Sequence, residues 1–464
     1  MQNINYRIKQ LLLLFGDGMI FFCGTVIALL IRRGTLTDIL ELQDALHSFG
    51  ILMFFWIVVH YINGVYDIGK HKTPKLLFTR LFQAACTNAV IGVMFFYLSP
   101  QYTFSPKTIL FLTILVSYIL LVFWRYAFSL FFATKTLSSH ILFVGHTPEM
   151  EELATILSEQ PERGYTLVAW ITPEQYGLKQ RFPKTTFYSS VTAIRPSITV
   201  HAIHDVIIAS EMRNDTAVRR ELYELLFWKV NIRSLTSLYE VLTGRIPPYT
   251  FSESWFLDHL QHTAHPVYER THRFFDISIG VCMYISFIIL YPFVALAIRL
   301  DSPGSAIFKQ ERVGLCGTPF FLYKFRSMYA LAKDGSAEID GAQFAIKDDK
   351  RITRVGTFLR KIRLDELPQA INLIKGDISL IGPRPERPDI VHALETTMPY
   401  YPVRHIIKPG ITGWAQVNQH YTDTLEQSLQ KLQYDLYYIK NRSLVLDLSI
   451  ILKTVNVVMR GMGQ

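Results

Sequence analysis

The sequence predicts a membrane-anchored chain of mixed class, apolar helices first and α/β globular structure after. Three observations carry this. Four long apolar runs crowd the first 135 residues, short strand patterns alternate with helical ones over 140–246, and positive charge gathers towards the C-terminus. Half of the 464 residues are hydrophobic and only 18% are charged, against about 25% charged in soluble domains. That balance disfavours a simple cytosolic enzyme and excludes a disordered chain. The length suggests about three domains. The net charge of +9 comes from 47 Lys and Arg against 38 Asp and Glu. In so apolar a chain it points to anionic lipid or phosphorylated substrates, not to nucleic acid. The four cysteines (Cys23, Cys86, Cys282 and Cys316) show neither metal-ligand spacing nor a disulfide framework.

The four runs cover roughly Leu11–Ile31, Ser48–Tyr66, Leu81–Ser99 and Thr108–Trp124. Each approaches the roughly 20 residues that a membrane-crossing helix needs. The first lacks the small-residue cleavage site of a removed signal peptide, so it reads as a retained span. Lys70, Lys72, Lys75 and Arg80 follow the second run, whereas only Lys107 follows the third. Basic loops stay in the cytoplasm, so both ends of this four-helix set, residues 1–135, are expected there; Arg32 and Arg33 oppose the assignment. Asp17 lies inside the first run, where an acid is expected to be interfacial or paired with a neighbour.

Residues 136–262 read as a soluble α/β domain. Ile141–Val144 and Val206–Ala209 are strand-like, and Met150–Gln160 and Asn214–Trp228 helical. The turn after the first strand, Gly145-His146-Thr147-Pro148-Glu149, keeps one glycine where a dinucleotide-binding turn uses three. The fold is therefore expected to be Rossmann-like but degenerate, with a structural or regulatory role.

A fifth run, Ile277–Ile298, is uncharged for 22 residues. Arg270 and Arg273 precede it and Arg299, Lys309 and Arg312 follow, so neither end is marked as external. Pro292 interrupts it, and a proline ring kinks a helix. A re-entrant helix over 274–300, entering the bilayer and returning to the same face, satisfies both features; a kinked crossing helix is the other reading.

Residues 271–464 hold 24 Lys and Arg against 18 Asp and Glu, +6 of the total. Lys309-Gln310-Glu311-Arg312-Val313-Gly314 is followed by Tyr323-Lys324-Phe325-Arg326-Ser327-Met328, which sets two cations on one face of a strand. Leu359 to Gln369 then places Asp365 and Glu366 beside Arg360, Lys361 and Arg363. Adjacent carboxylates among cations suit a site where Mg²⁺ and phosphates meet; a solvated helix face is the plainer alternative. Ile381-Gly382-Pro383-Arg384-Pro385-Glu386 brackets an arginine between prolines, lowering the entropy lost when it clamps a phosphate. The stretch Lys408 to Asn418 is glycine-rich, and its Trp414 and amides are expected to face a base or sugar.

These five ordered segments resemble the catalytic domain of bacterial sugar transferases, the monotopic phosphoglycosyl transferases. With four preceding spans and a degenerate, CoA-binding-like middle domain, the likeness extends to the large-subgroup architecture that starts exopolysaccharide or O-antigen synthesis. It implies an α/β catalytic domain over 263–464, anchored by the re-entrant helix on the cytoplasmic side of the bacterial inner membrane. It further implies transfer of a sugar-1-phosphate from a UDP-sugar to undecaprenyl phosphate, with Mg²⁺ as cofactor. Asp365 would be the nucleophile and metal-side carboxylate, and Glu366 its support. Lys324, Arg326, Arg360, Arg384 and Lys408 would hold phosphate, with Asp435 a lesser candidate. The family often breaks its re-entrant helix at Ser-Pro; here the pair is Tyr291-Pro292. The terminal stretch Leu444–Met459 reads as an interfacial or packing helix.

Two other readings compete. A membrane-anchored epimerase-dehydratase would need a Tyr-x-x-x-Lys pair in the α/β domain, but Tyr66/Lys70 and Tyr329/Lys333 fall outside it. A nucleotide-sensing scaffold would leave the Asp365 region without a purpose. The sugar and the assembly state, homo-oligomer included, are left open.

Overall fold

The computed structural model describes residues 4–33, 39–66, 74–98, 106–132, 138–173, 177–228, 230–260, 266–331, 349, 351–419 and 424–459. Lys70, Lys72 and Lys333 lie outside them. The chain forms two compact units, residues 1–242 and 243–464.

The first unit opens with α1 (Ile4–Arg33), α2 (Ile39–Ile62), α3 (Pro74–Leu98) and α4 (Pro106–Phe132). Phe21, Phe49, Leu52, Trp56 and Leu121 fill the interior, while Phe15, Phe54, Phe82, Phe111 and Phe123 point outward. An apolar exterior is what lipid rather than water tolerates. Small residues let α1 lie on α4: a Cβ at Gly24 would be 2.0 Å from Oγ of Ser117, and one at Gly16 2.4 Å from Trp124. Asp17 is fully buried, and paired as expected. Its Oδ2 accepts from Nη2 of Arg125 at 2.7 Å and meets Nδ1 of His60 at 3.0 Å. His60 Nε2 reaches the Tyr118 hydroxyl at 3.0 Å, which also accepts from Asn88 Nδ2 at 2.9 Å. One polar chain thus touches all four helices.

Among the described residues, four helices are long and apolar enough to cross a membrane: Ile8–Arg32, Leu77–Leu98, Thr108–Phe128 and, in the second unit, Pro266–Asp301. In α2 the corresponding apolar stretch, His47–Ile62, is shorter.

A parallel five-stranded sheet follows in the order β3-β2-β1-β4-β5. Its strands are β1 (Ser139–Val144), β2 (Tyr165–Ile171), β3 (Thr186–Tyr188), β4 (Asp205–Ile208) and β5 (Asn231–Ser234). Ile141–Val144 of β1 and Val206–Ile208 of β4 are continuous apolar runs because both faces of the sheet are covered there. On one face α5 (Pro148–Glu159) and α9 (Leu235–Thr243) bury Met150, Leu153, Leu157, Leu235 and Leu238. On the other, α7 (Ile194–His201) and α8 (Thr216–Leu225) bury Ile194, Ile198, Val218 and Leu225; α6 (Leu178–Arg181) is a single turn.

The second unit begins with α10 (Glu253–Leu260), whose Leu260 joins Ile246 in that unit's core. The 36-residue α11 (Pro266–Asp301) follows and stays helical through Pro292. Next come the antiparallel pair β6 (Ile307–Val313) and β7 (Pro319–Phe325), α12 (Arg354–Lys361), a 3₁₀ segment (Leu364–Gln369) and α13 (Ala370–Lys375). Then follow β8 (Ser379–Ile381), α14 (Pro388–Thr397), a 3₁₀ segment (Tyr401–Ile406) and β9 (Gly410–Thr412), parallel to β8. Last are α15 (Trp414–Asn418), α16 (Leu425–Asn441) and α17 (Leu444–Met459). The terminal α17 packs against its unit through the fully buried Ile450, while Val445 and Leu448 are exposed.

One face of α11 is fastened to the unit along its whole length. Arg273 donates to the carbonyls of Leu373 and Ile374 at 2.8 and 2.7 Å, capping α13. Asp276 Oδ1 accepts from the Leu380 amide at 2.8 Å and from Ser379 Oγ at 3.0 Å. Further along, Phe287 packs on Phe325 and Tyr291 stacks on the same ring at 6.3 Å. The residue before Pro292 is therefore held by its ring, where a serine would use its hydroxyl. The opposite face, with Phe274, Val281, Ile285, Ile289, Phe293 and Leu300, is exposed.

Candidate active site

The site is built where β7 meets the turn after α12. Arg363 closes α12 in a left-handed conformation (φ 58°), which a side chain adopts only at a cost of about 1 kcal/mol. The turn throws the chain into the 3₁₀ segment and delivers Asp365 and Glu366 beneath β7. Asn372, fully buried, splices α13 to the same strand pair. Its Nδ2 donates to Phe321 O at 2.7 Å and its Oδ1 accepts from the Tyr323 amide at 3.2 Å.

Lys324 projects from β7 and donates to Oε1 of Glu366 at 3.1 Å; Arg363 reaches the same oxygen at 3.4 Å. Burial alone would raise the Glu366 carboxyl, but Lys324, then Arg384 and Arg363, outweigh it and hold it down at about 2. Asp365 behaves in the opposite way. It is 7% exposed, and its Oδ1 is buried with no hydrogen-bond partner among the described residues. Burial pushes its carboxyl above the ordinary aspartate value and Glu366 adds to this, against Lys324, Arg360 and Arg363. Adjacent carboxylates thus have different characters, one neutralised in an ion pair and the other unpaired.

A cavity opens beside Glu366, lined by Arg312, Lys324, Glu366, Gln369, Arg384 and Ile411 among others; Asp365 is not one of its lining residues. Arg384 stands in its proline-bracketed turn. Among the described residues its guanidinium makes no hydrogen bond, and its charge lowers Glu366 and Glu386. Arg360 flanks Asp365 and donates from Nε to Ser327 Oγ at 3.0 Å.

Three expected phosphate ligands are placed elsewhere. Arg326 is 4% exposed and donates to the carbonyls of Ser302 (2.6 Å) and Pro303, so it caps the end of α11 instead of sharing a face with Lys324. Asp435 is buried against Arg404, 2.8 Å from Nη2. Lys408 holds its ammonium beside Gly376, at the end of α13. Trp414 offers no open face: it stacks on Tyr437, carries the Lys453 ammonium 4.3 Å from its ring centroid, and donates to Gly244 O. The glycines around it serve close approach instead. A Cβ at Gly410 would lie 2.1 Å from the Gly382 nitrogen, and one at Gly382 2.4 Å from Lys408 O.

Two functional groups escaped the sequence reading. Arg312 lies in the Lys309–Gly314 segment, lines the cavity and donates to Pro385 O at 3.0 Å. Arg404 carried no signal, yet it supports the Arg384 turn by donating to Arg384 O at 3.0 Å while paired with Asp435. Lys431 pairs with Glu386 on the far side of that turn.

No group of three His, Cys, Asp or Glu side chains able to hold a metal occurs among the described residues. The free oxygen of Asp365 fits Mg²⁺ in the way that ion is usually held, by one or two carboxylates with phosphate oxygens completing the shell. A pyrophosphate cofactor fits the first unit poorly. Behind β1 the only turn glycine is Gly145, and a Cβ there would meet Ala209 at 2.7 Å and Met212 at 2.8 Å. The amide-rich start of α5 is capped by Thr147, lacks an amide at Pro148 and carries Glu149 and Glu151.

Helices apolar and long enough to cross a membrane, a parallel sheet and cations converging on a carboxylate pair together mark a membrane protein with a strongly basic site. The family model for bacterial sugar transferases matches residues 267–461, and one described as a CoA-binding domain matches 61–235. A UDP-N-acetylgalactosamine-undecaprenyl-phosphate N-acetylgalactosaminephosphotransferase from Aeromonas hydrophila is 38% identical over 56% of this chain and 60% of its own. A UDP-glucose:undecaprenyl-phosphate glucose-1-phosphate transferase from Xanthomonas campestris is 44% identical over 37% of this chain and 34% of its own. An exopolysaccharide production protein from Rhizobium leguminosarum is 37% identical over 41% of this chain and 96% of its own length. The chain belongs to the bacterial sugar transferases, of the phosphoglycosyl transferase family.

Proposed function

We propose that this chain transfers a sugar-1-phosphate from a UDP-sugar to undecaprenyl phosphate, the opening step of exopolysaccharide, capsule or O-antigen assembly. The observation that carries the reading is the unpaired, buried carboxylate oxygen of Asp365, next in sequence to Glu366, which lines a cavity together with Arg312, Lys324 and Arg384. An ionised aspartate freed of hydrogen bonds is a competent nucleophile. Asp365 attacks the β-phosphorus of the UDP-sugar, the bond to the bridging oxygen breaks, and UMP leaves with that electron pair. The lipid phosphate oxygen then attacks the same phosphorus and releases the aspartate. Arg384 and Arg312 take up charge on the departing phosphate. Glu366 keeps Lys324 in place, and with its Oε1 engaged by Lys324 and Arg363 it is the weaker nucleophile of the two carboxylates. Mg²⁺, held by Asp365 and the diphosphate, would neutralise charge between substrate and carboxylate.

The membrane arrangement belongs to the same proposal. The middle domain is read as Rossmann-like, supported by its strand order, and α11 as re-entrant, with the catalytic unit on the cytoplasmic face. At 36 residues α11 is about 54 Å long, well beyond about 30 Å of hydrocarbon. It is nonetheless fastened to its own unit from Arg273 to Asp301, with the other face bare and apolar, an arrangement that suits a helix resting in one leaflet.

The test is a panel of UDP-sugars, UDP-glucose and UDP-N-acetylgalactosamine among them, with Mg²⁺ and undecaprenyl phosphate, read as UMP release. Asp365→Asn is expected to abolish both turnover and the covalent sugar-phosphate adduct seen by intact-protein mass spectrometry. An adduct on the Asn variant would move the nucleophile elsewhere.

A further inference from the structure

One edge of the five-stranded sheet takes no part in this chemistry. The strands are parallel, so their first residues, Ser139, Tyr165, Thr186, Asp205 and Asn231, lie along a single edge. The His204 amide donates to His140 O and the Asn231 amide to His204 O, which sets three of these strand entries side by side. Crossover helices run back towards that edge, so α7 and α8 both end there. Large apolar side chains stand exposed at those ends: Val200 on α7, and Tyr223, Leu226, Phe227 and Trp228 on the last turn of α8 and just after it. Phe227 is 75% exposed and touches the Tyr223 ring at 5.8 Å between centroids. A cluster of this kind marks an interaction surface.

The occupant follows from where the chain enters. α4 ends at Phe132 and β1 starts at Ser139, so six residues join the helical bundle to this same edge, reaching at most about 20–25 Å. The patch therefore sits on the side of the domain nearest the bundle's end, where the surface of a bilayer holding α1–α4 lies. Its chemistry suits that surface. Tyr, Trp and Phe favour the headgroup boundary, and Arg219 and Arg220, exposed on the preceding turns of α8, suit anionic headgroups.

We infer that the end of α8, Tyr223 to Trp228, with Val200 beside it, docks into the headgroup–acyl boundary of the bilayer that holds α1–α4. The middle domain then lies against the membrane instead of hanging from its connection. The inference rests on reading α1–α4 as membrane helices and is independent of the transfer chemistry.

The experiment uses the full chain with its four cysteines changed to serine, in nanodiscs of phosphatidylethanolamine and phosphatidylglycerol. Single spin labels are attached through Phe227→Cys, Leu226→Cys, Phe15→Cys on the outer face of α1, and Arg213→Cys on the opposite edge of the sheet. Collision with oxygen, enriched in lipid, is compared with collision with a water-soluble nickel chelate. The labels at 227, 226 and 15 are expected to favour oxygen several-fold over the label at 213. Labels at 226 and 227 that match 213, while 15 still favours oxygen, overturn the docking and leave the spans standing. A nickel-accessible label at 15 overturns the spans and the docking together. Dipolar coupling between two labels at 227 without oxygen preference assigns the patch to a second copy of the chain, and also overturns the docking.

Discussion

Asp365 and Glu366 are neighbours in sequence, yet their surroundings push them apart: one is held in a pair with Lys324, the other is left with a buried oxygen unmatched. A pH dependence follows. Attack requires the ionised carboxylate, and burial raises its pKa, so UMP release falls as pH drops through a value above the ordinary 3.9 or so of aspartate. Lys324→Met removes the strongest opposing cation and moves that acid limb further up; a limb at or below the ordinary value contradicts the assignment. Asp435 is tested differently, because it meets Arg404 and not the cavity. Breaking one side of a buried pair costs about 3–5 kcal/mol, so Asp435→Asn is expected to lower the Tm in a fluorescence melt and, through the Arg384 turn, to slow UMP release. An unchanged melt contradicts this account. The sequence made Asp365, Glu366, Lys324 and Arg384 legible because each sits in a short, dense segment. Arg326 and Asp435 misled for a common reason: their partners, the end of α11 and Arg404, are 24 and 31 residues away, and no local pattern announces them.

At the scale of elements, the glycine-rich turn reads as a ligand loop in sequence and is a crossing of two backbones in space. Residues 382 and 410 pass so closely that neither accepts a Cβ. Gly410→Ala is therefore expected to cost more than the 1–3 kcal/mol of ordinary overpacking and to leave the chain in the void volume on size exclusion in detergent; elution like the parent means the crossing can relax. The apolar runs, β1, β4, α5 and α8 were all visible from periodicity, since burial of one or both faces writes itself into local composition. The arrest of α12 at Arg363 was not, because nothing but tertiary context holds a non-glycine residue in that conformation. The course of α11 through Pro292 was invisible for a similar reason: Tyr291 and Phe287 lie against Phe325, a strand residue more than thirty positions on.

For the whole molecule, topology is the property at issue. With the cysteines removed, Ser305→Cys just beyond α11 is expected to react with an impermeant maleimide only in inside-out vesicles; reaction in right-side-out vesicles defeats the re-entrant reading. The bundle adds a constraint on how the chain is made. Asp17 and Arg125 each cost about 2.5–3.5 kcal/mol to place alone at the centre of a membrane helix, and each is matched by the other across 108 residues of chain. At about 5–20 residues per second of synthesis, α1 waits roughly 5–20 s for its counter-ion. Biogenesis of this protein therefore depends on something, the insertion machinery or a temporary lipid or water partner, sheltering the first helix until the fourth emerges.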